Sequence, residues 1–198
     1  MTHIEDRAFG QCKFLTNLEI PPSVTFIGPS VFFGCESLKF VKIPEGVTVI
    51  EDNCFRNCTA LTSVEIPSSV TAIHIEAFYL CTSLESVEIP ASLRHIGHSA
   101  FGKCTSLSSV VIPASVTHIG DDAFRGCTSL ISAQIPASVT HIGRSAFAGC
   151  VFLTSVVIRS VEEVDEDKRD NDDSHKPRPK RKISDEGAVN KYKKIKIN

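Results

Sequence analysis

Phenylalanine returns every 23 residues, at Phe9, Phe32, Phe55, Phe78, Phe101, Phe124 and Phe147, without one slipped position. Self-similarity at a fixed period of this length marks a chain that repeats one supersecondary unit, and it excludes ordinary single-core globular folds at once. Cysteine keeps the same interval at Cys12, Cys35, Cys58, Cys81, Cys104, Cys127 and Cys150, so only Cys54 of the eight cysteines falls out of phase. Leucine does so from Leu15 to Leu153 and isoleucine from Ile20 to Ile158. A third apolar column, Leu18, Val41, Val64, Val87, Val110, Ala133 and Val156, lies between those two, and every copy reads L-x-x-V-x-I or a close variant. A partial first coil is followed by six full periods over 21–158.

The columns dictate local structure. A pair such as Val110 and Ile112 sets both branched side chains on one pleat face and turns Ser109 and Val111 to the other, which is a short strand. Proline follows at Pro21, Pro44, Pro67, Pro90, Pro113 and Pro136. Its missing N–H and fixed φ are expected to end the strand there. The next segment, S-V-T-x-I-G as in Ser115–Gly120, supplies a second short extended stretch, with the glycine expected to permit a bend. In A-F-x-x-C-x-S-L, as in Ala123–Leu130, the apolar groups stand three to four apart, and one helical or 3₁₀ turn is expected. No coil of this size buries its own apolar edge, so copies must stack into one continuous core. Seven rungs about 4.8 Å apart give a rod of roughly 30 Å.

The unit I-P-x-S-V-T-x-I-G-x-x-A-F-x-x-C-x-S-L-x-x-V-x-I, clearest from Ile89 through Ile135, resembles the BspA-type, or Treponema pallidum-type, leucine-rich repeat over residues 1–158. The resemblance implies a leucine-rich repeat solenoid, a right-handed coil with a parallel sheet on one face and short extended or 3₁₀ segments elsewhere. It also implies a binding protein, not an enzyme, similar to adhesive surface proteins of bacteria. Met1–Phe9 aligns with Val116–Phe124, so the sequence starts inside a coil. That start is read as a missing N-terminal cap or as a fragment of a larger surface adhesin.

No catalytic, metal or cofactor site is expected. The cysteines contain no C-x-x-C pair, and side chains stacked in parallel neither converge on one ion nor face each other as disulfide partners must. Small buried thiols donating weakly to loop carbonyls are the expected arrangement. His95, His118 and His141 share a column with Ala72, Val49, Phe26 and His3. Its apolar members point to a solvated or edge-stacked ladder. The serine column from Ser63 to Ser155 lacks an activating base.

The outward positions of the strand are the candidate partner-binding surface. One column reads Glu19, Lys42, Glu65, Glu88, Val111, Gln134 and Val157, the other Thr16, Lys39, Thr62, Glu85, Ser108, Ile131 and Thr154. Acidic residues therefore give way to apolar ones along the axis. Glu65, Glu85, Glu88, Val111, Ile131, Gln134 and Val157 are the candidate contacts for a protein partner with a basic end and an apolar end. The competing reading is a solvated sheet face with no ligand.

Charge separates the rest of the chain. Residues 1–158 hold 9 Lys+Arg against 13 Asp+Glu, net −4, whereas 174–198 hold 9 against 2, net +7. Residues 159–167 resemble a degraded half-coil that could serve as a cap, and 168–198 read as a disordered charged tail. Within it Lys176, Arg178, Lys180, Arg181 and Lys182 form an import-like basic run that could engage an import receptor or a polyanion, and Ser184 is a candidate phosphosite. No apolar run approaches the length that spans a bilayer, and no secretion signal opens the chain, which points to a cytoplasmic or nuclear protein with no membrane contact. Two functions follow as expectations: a non-enzymatic interaction scaffold acting through the strand face, or a tail-driven nuclear or nucleic-acid-associated protein.

Overall fold

The structure, a computed structural model, describes residues 1–159 and Lys193–Lys194. The strands are β1 (His3–Ile4), β2 (Phe26–Ile27), β3 (Phe40–Lys42), β4 (Val49–Ile50), β5 (Ser63–Glu65), β6 (Ala72–Ile73), β7 (His95–Ile96), β8 (Ser109–Val111), β9 (His118–Ile119), β10 (Ser132–Pro136), β11 (His141–Ile142), β12 (Ser155–Arg159) and β13 (Lys193–Lys194). No helix occurs among the described residues. Nearly every pairing joins residues 23 apart in parallel, as in Val110 with Ala133 and Ala133 with Val156, so the sequence period is the spatial period. The fold is a parallel-strand solenoid of about seven coils.

Three hydrogen-bonded ladders run along the axis. The first carries the S-V-T-x-I segments: β1 pairs β2, and β4, β6, β7, β9 and β11 form a five-stranded sheet. The third carries the L-x-x-V-x-I segments, and here the expected continuous sheet is divided into β3–β5 and β8–β10–β12. The coil through Val87 and Glu88 contributes no strand, although Glu85 N–H still donates to the Thr62 carbonyl and Ser108 N–H to that of Glu85.

The second ladder, through the A-F-x-x-C arc, corrects the expected helical turn. Its bonds from residue i to i−3, such as Arg56 N–H to Asn53 and Cys58 N–H to Phe55, are isolated β-turns that never merge into a 3₁₀ run. The reason is two backbone positions per coil with positive φ. One is Arg7, Ser30, Asn53, Glu76, Ser99, Asp122 and Ser145, and the other is Gln11, Gly34, Asn57, Leu80, Lys103, Gly126 and Gly149. Left-handed backbone costs an L-residue roughly 1–2 kcal/mol, so something must hold it. Each such residue in the inner coils turns its N–H to a carbonyl of the next coil, as Leu80 does to Gly102 and Lys103 to Arg125.

Two other expectations change in detail. Pro136 lies within β10, opposite Arg159, because a parallel bridge can be made by the backbone groups of its two neighbours without a donor on the proline itself. The prolines open turns, with Pro113 accepting from Val116 N–H and Pro136 from Val139 N–H. Gly120 does not supply left-handed φ. It admits a close backbone approach, since a Cβ there would stand 2.7 Å from the carbonyl carbon of Gly97 and from His98 N. Gly120→Ala is therefore expected to lower stability by about 1–3 kcal/mol, the ordinary cost of overpacking, read as a reduced urea midpoint.

The core is the set of apolar columns. Phe32, Phe55, Phe78, Phe101 and Phe124 are fully buried and lie nearly parallel, with neighbouring centroids 5.2–5.4 Å apart. That spacing slightly exceeds the usual strand separation of about 4.8 Å. The rings thus stack as one continuous column through the inner coils.

Of the tail expected over 168–198 only Lys193–Lys194 are described, and they pair antiparallel with β12. The cap read at 159–167, apart from Arg159 in β12, lies outside the described residues. So do the basic run Lys176, Arg178, Lys180, Arg181, Lys182 and the phosphosite Ser184.

Candidate functional site

With the interior filled by apolar side chains, chemistry can reside only on the outside or in the thiols. Cys35, Cys58, Cys81, Cys104, Cys127 and Cys150 each donate Sγ–H to the carbonyl of the phenylalanine 26 residues earlier, at 3.1–3.2 Å. This is the packing arrangement expected of the column. All eight cysteines are free, and Cys12 alone is exposed. Burial pushes the thiols of Cys54, Cys58, Cys81, Cys104 and Cys127 well up, with Cys104 reaching about 12. A thiol held protonated is neither a nucleophile nor a metal ligand. Among the described residues no group of three His, Cys, Asp or Glu side chains is placed to hold a metal ion.

The histidine column is a ladder on the first sheet. His95 pairs His118 and His118 pairs His141 in register, with ring centroids 5.2 and 6.0 Å apart and planes tilted by 41° and 36°. All three side chains are exposed. Thr117 Oγ1 lies 2.8 Å from His118 Nδ1, and no carboxylate and nucleophile accompany it.

The outward face of the third ladder places the candidate contacts as follows. Glu65, in β5, is exposed but paired across the sheet with Lys42 at 3.1 Å. A solvent-exposed pair of this kind adds little stability, yet it withdraws one of the three acids from the face. Glu85 and Glu88 are exposed and make no ion pair among the described residues. Val111, Gln134 and Val157 lie side by side on β8, β10 and β12, and Val111 is 61% exposed. Ile131, 56% exposed, belongs to the parallel column.

Glu85 and Ile131 share the walls of one open groove with Ser108, Ser129, Thr154 and Phe152. Phe152 was missed in the sequence, although it is the largest apolar group there and is 64% exposed. The signal was a column break. Its column reads Phe14, Ser37, Ala60, Ser83, Ser106, Ser129 and Phe152, so small residues fill the inner coils and an exposed aromatic ring stands in each end coil. The groove is thus acidic at Glu85, hydroxyl-lined through its middle and aromatic at its end, which suits an extended polypeptide better than a compact small molecule.

Comparisons with known proteins agree with this geometry. The model of the BspA type leucine rich repeat region matches six copies, over residues 2–130 and 48–168. A leucine-rich repeat protein from Bacteroides ovatus superposes with a TM-score of 0.75 at 35% identity, covering 81% of this chain and 42% of that one. The chain therefore spans less than half the length of that relative. The T. pallidum leucine rich repeat protein gives 0.56 at 28% identity, covering 77% and 71%. The pneumococcal vaccine antigen PcpA, at 19% identity and 0.57, shares the fold over 81% of this chain and 49% of its own. A search of curated proteins found no match. With the period, the buried columns and the family match in agreement, this chain belongs to the BspA-type leucine-rich repeat family.

Proposed function

We propose that the chain is a non-enzymatic interaction scaffold that binds a protein partner through the outward face of the third ladder, towards its C-terminal end. The observation that carries this reading is the groove in which the exposed Ile131 and Phe152 stand with Glu85, together with the exposed Val111 on the strand face beside it. Isolated exposed aliphatic groups are ordinary, but a contiguous patch rimmed by polar residues is a mark of interaction surfaces. Repeat solenoids present extended surfaces of this type. The ligand suited to it is an extended segment with an apolar side chain for the Ile131–Phe152 end and a basic one for Glu85 and Glu88, whose charges would steer encounter and fix orientation.

The test is a surface variant, Glu88→Lys with Val111→Asp and Ile131→Asp. These side chains are exposed, so the thermal midpoint is expected to stay within a few degrees of the parent, because surface changes usually move stability by only about 0.5 kcal/mol each. Proximity labelling in the source cell followed by pull-down should lose the partners that the parent retains, by about tenfold or more if the patch supplies even one hot spot. Unchanged partners with an intact fold reject this face.

A further inference from the structure

A parallel ladder leaves its last rung with a row of N–H and C=O groups that no following coil satisfies, and such a row is a template for another strand. β12 is the last described rung of the third ladder. On the side away from β10 it receives β13, in the register Val157 with Lys194 and Ile158 with Lys193.

This pairing is antiparallel, whereas every other strand pairing among the described residues is parallel. The difference is physical. A further coil would run parallel to β12, so an antiparallel strand on that edge cannot begin another rung; it occupies the edge and ends the stack. The residues suit the place. Around β13 the sequence reads Tyr192-Lys193-Lys194-Ile195-Lys196-Ile197, alternating basic and apolar from Lys194 onward, which is the period of a strand. Lysines on an outermost strand discourage any further strand from adding. The basic segment, net +7 over 174–198, is also attracted to a solenoid of net −4. The two strands are well separated in sequence, and the penalty for bringing two such segments together grows only with the logarithm of their separation.

We propose that the edge of β12 facing away from β10 is a strand-addition site whose occupant is this chain's own C-terminal segment carrying Lys193 and Lys194, which seals the final rung in cis. Backbone hydrogen bonds supply the contact, the strand-addition mode of peptide recognition turned inward. The consequence is a solenoid whose self-association is suppressed by its own tail.

Hydrogen exchange on the full chain tests this. Amides of 155–159 and 190–198 are expected to be protected together, and equally at low and high protein concentration. Lys194→Pro removes a donor and disfavours strand pairing without touching the buried columns. It should speed exchange at 155–159 by roughly tenfold, the worth of one or two net hydrogen bonds, and leave exchange in the Phe55–Phe101 coils unchanged. Deleting 190–198 should do the same and raise the mass-average size by sedimentation, and a synthetic peptide of 190–198 added in trans should restore the protection. Unprotected 190–198 in the full chain, or unaltered exchange at 155–159 in both variants, overturns the proposal. Protection of 190–198 that appears only at high concentration also overturns it, since the strand then comes from a second copy.

Discussion

Phe78→Ala is expected to remove about 3–5 kcal/mol of stability, the range for truncating a buried phenylalanine. The ring is fully buried at the middle of the column, 5.2 Å from both Phe55 and Phe101. It stacks on two neighbours, and such aromatic pairs add about 0.5–1.5 kcal/mol each beyond burial, so the upper half of the range applies. Neighbouring coils cannot close the void, because their spacing is set by the backbone bonds Phe55 N–H to Ala77 and Phe78 N–H to Ala100. In a stack with only nearest-neighbour contacts the damage is local. Hydrogen exchange should accelerate most over residues 55–101 and least in the end coils, with a lower urea midpoint. Phe152→Ala, at the rim and 64% exposed, is the control. It should cost no more than about 0.5 kcal/mol. A loss below about 1 kcal/mol at Phe78 would show that the column fills space without bearing the stack.

The core was legible because its information is redundant. One misread residue could not disguise a column that recurs seven times, and the step from Val110 to Ala133 to Val156 in the sequence is the pairing of β8, β10 and β12 in space. The left-handed positions were illegible for the opposite reason. Gly34, Gly126 and Gly149 hint at one of them, but Leu80 and Lys103 stand in the same column and favour no such backbone. Hydrogen bonds from the adjoining coils enforce the conformation, so tertiary structure overrides local preference and the apolar spacing alone suggested a helical turn. The gap in the third ladder at Val87 has no mark in the residues, which match their neighbours, and nothing in the structure explains it. Period two correctly sent Glu88, Val111 and Gln134 outward, whereas Glu85 and Ile131, in phase with the buried Val87 and Ala133, are exposed against that rule. It could not single out Phe152, whose importance lies in departing from its column. What such a face recognises resides in those departures, since the shared columns only build the scaffold.

Raising the pH from 8 to 10 is expected to destabilise the fold by several kcal/mol through the buried thiols. The sign follows from where each proton sits. Burial raises the thiols of Cys35, Cys54, Cys58, Cys81, Cys104, Cys127 and Cys150 above the ordinary value of 9.0, while the unfolded chain exposes all seven. Below about pH 9 both states keep these protons and stability is flat. Above it the unfolded state releases protons that the folded state retains, so stability falls, and for Cys104 the fall continues until about pH 12. Each thiol contributes a slope of at most about 1.4 kcal/mol per pH unit, and the column acting together is comparable with the whole stability of a typical domain, about 5–15 kcal/mol. The exposed pair Lys42–Glu65 is too weak to compete. Urea titrations under reductant at pH 8, 9 and 10 should therefore show a midpoint that is constant at first and then drops steeply. Replacing Cys81 and Cys104 by alanine removes two of the seven buried thiols, so the alkaline slope should shrink by about a third whatever the variant's stability at pH 8. A midpoint that does not move between pH 8 and 10, or a slope indifferent to those substitutions, would mean that the thiol column is hydrated and that the continuous dry interior does not exist.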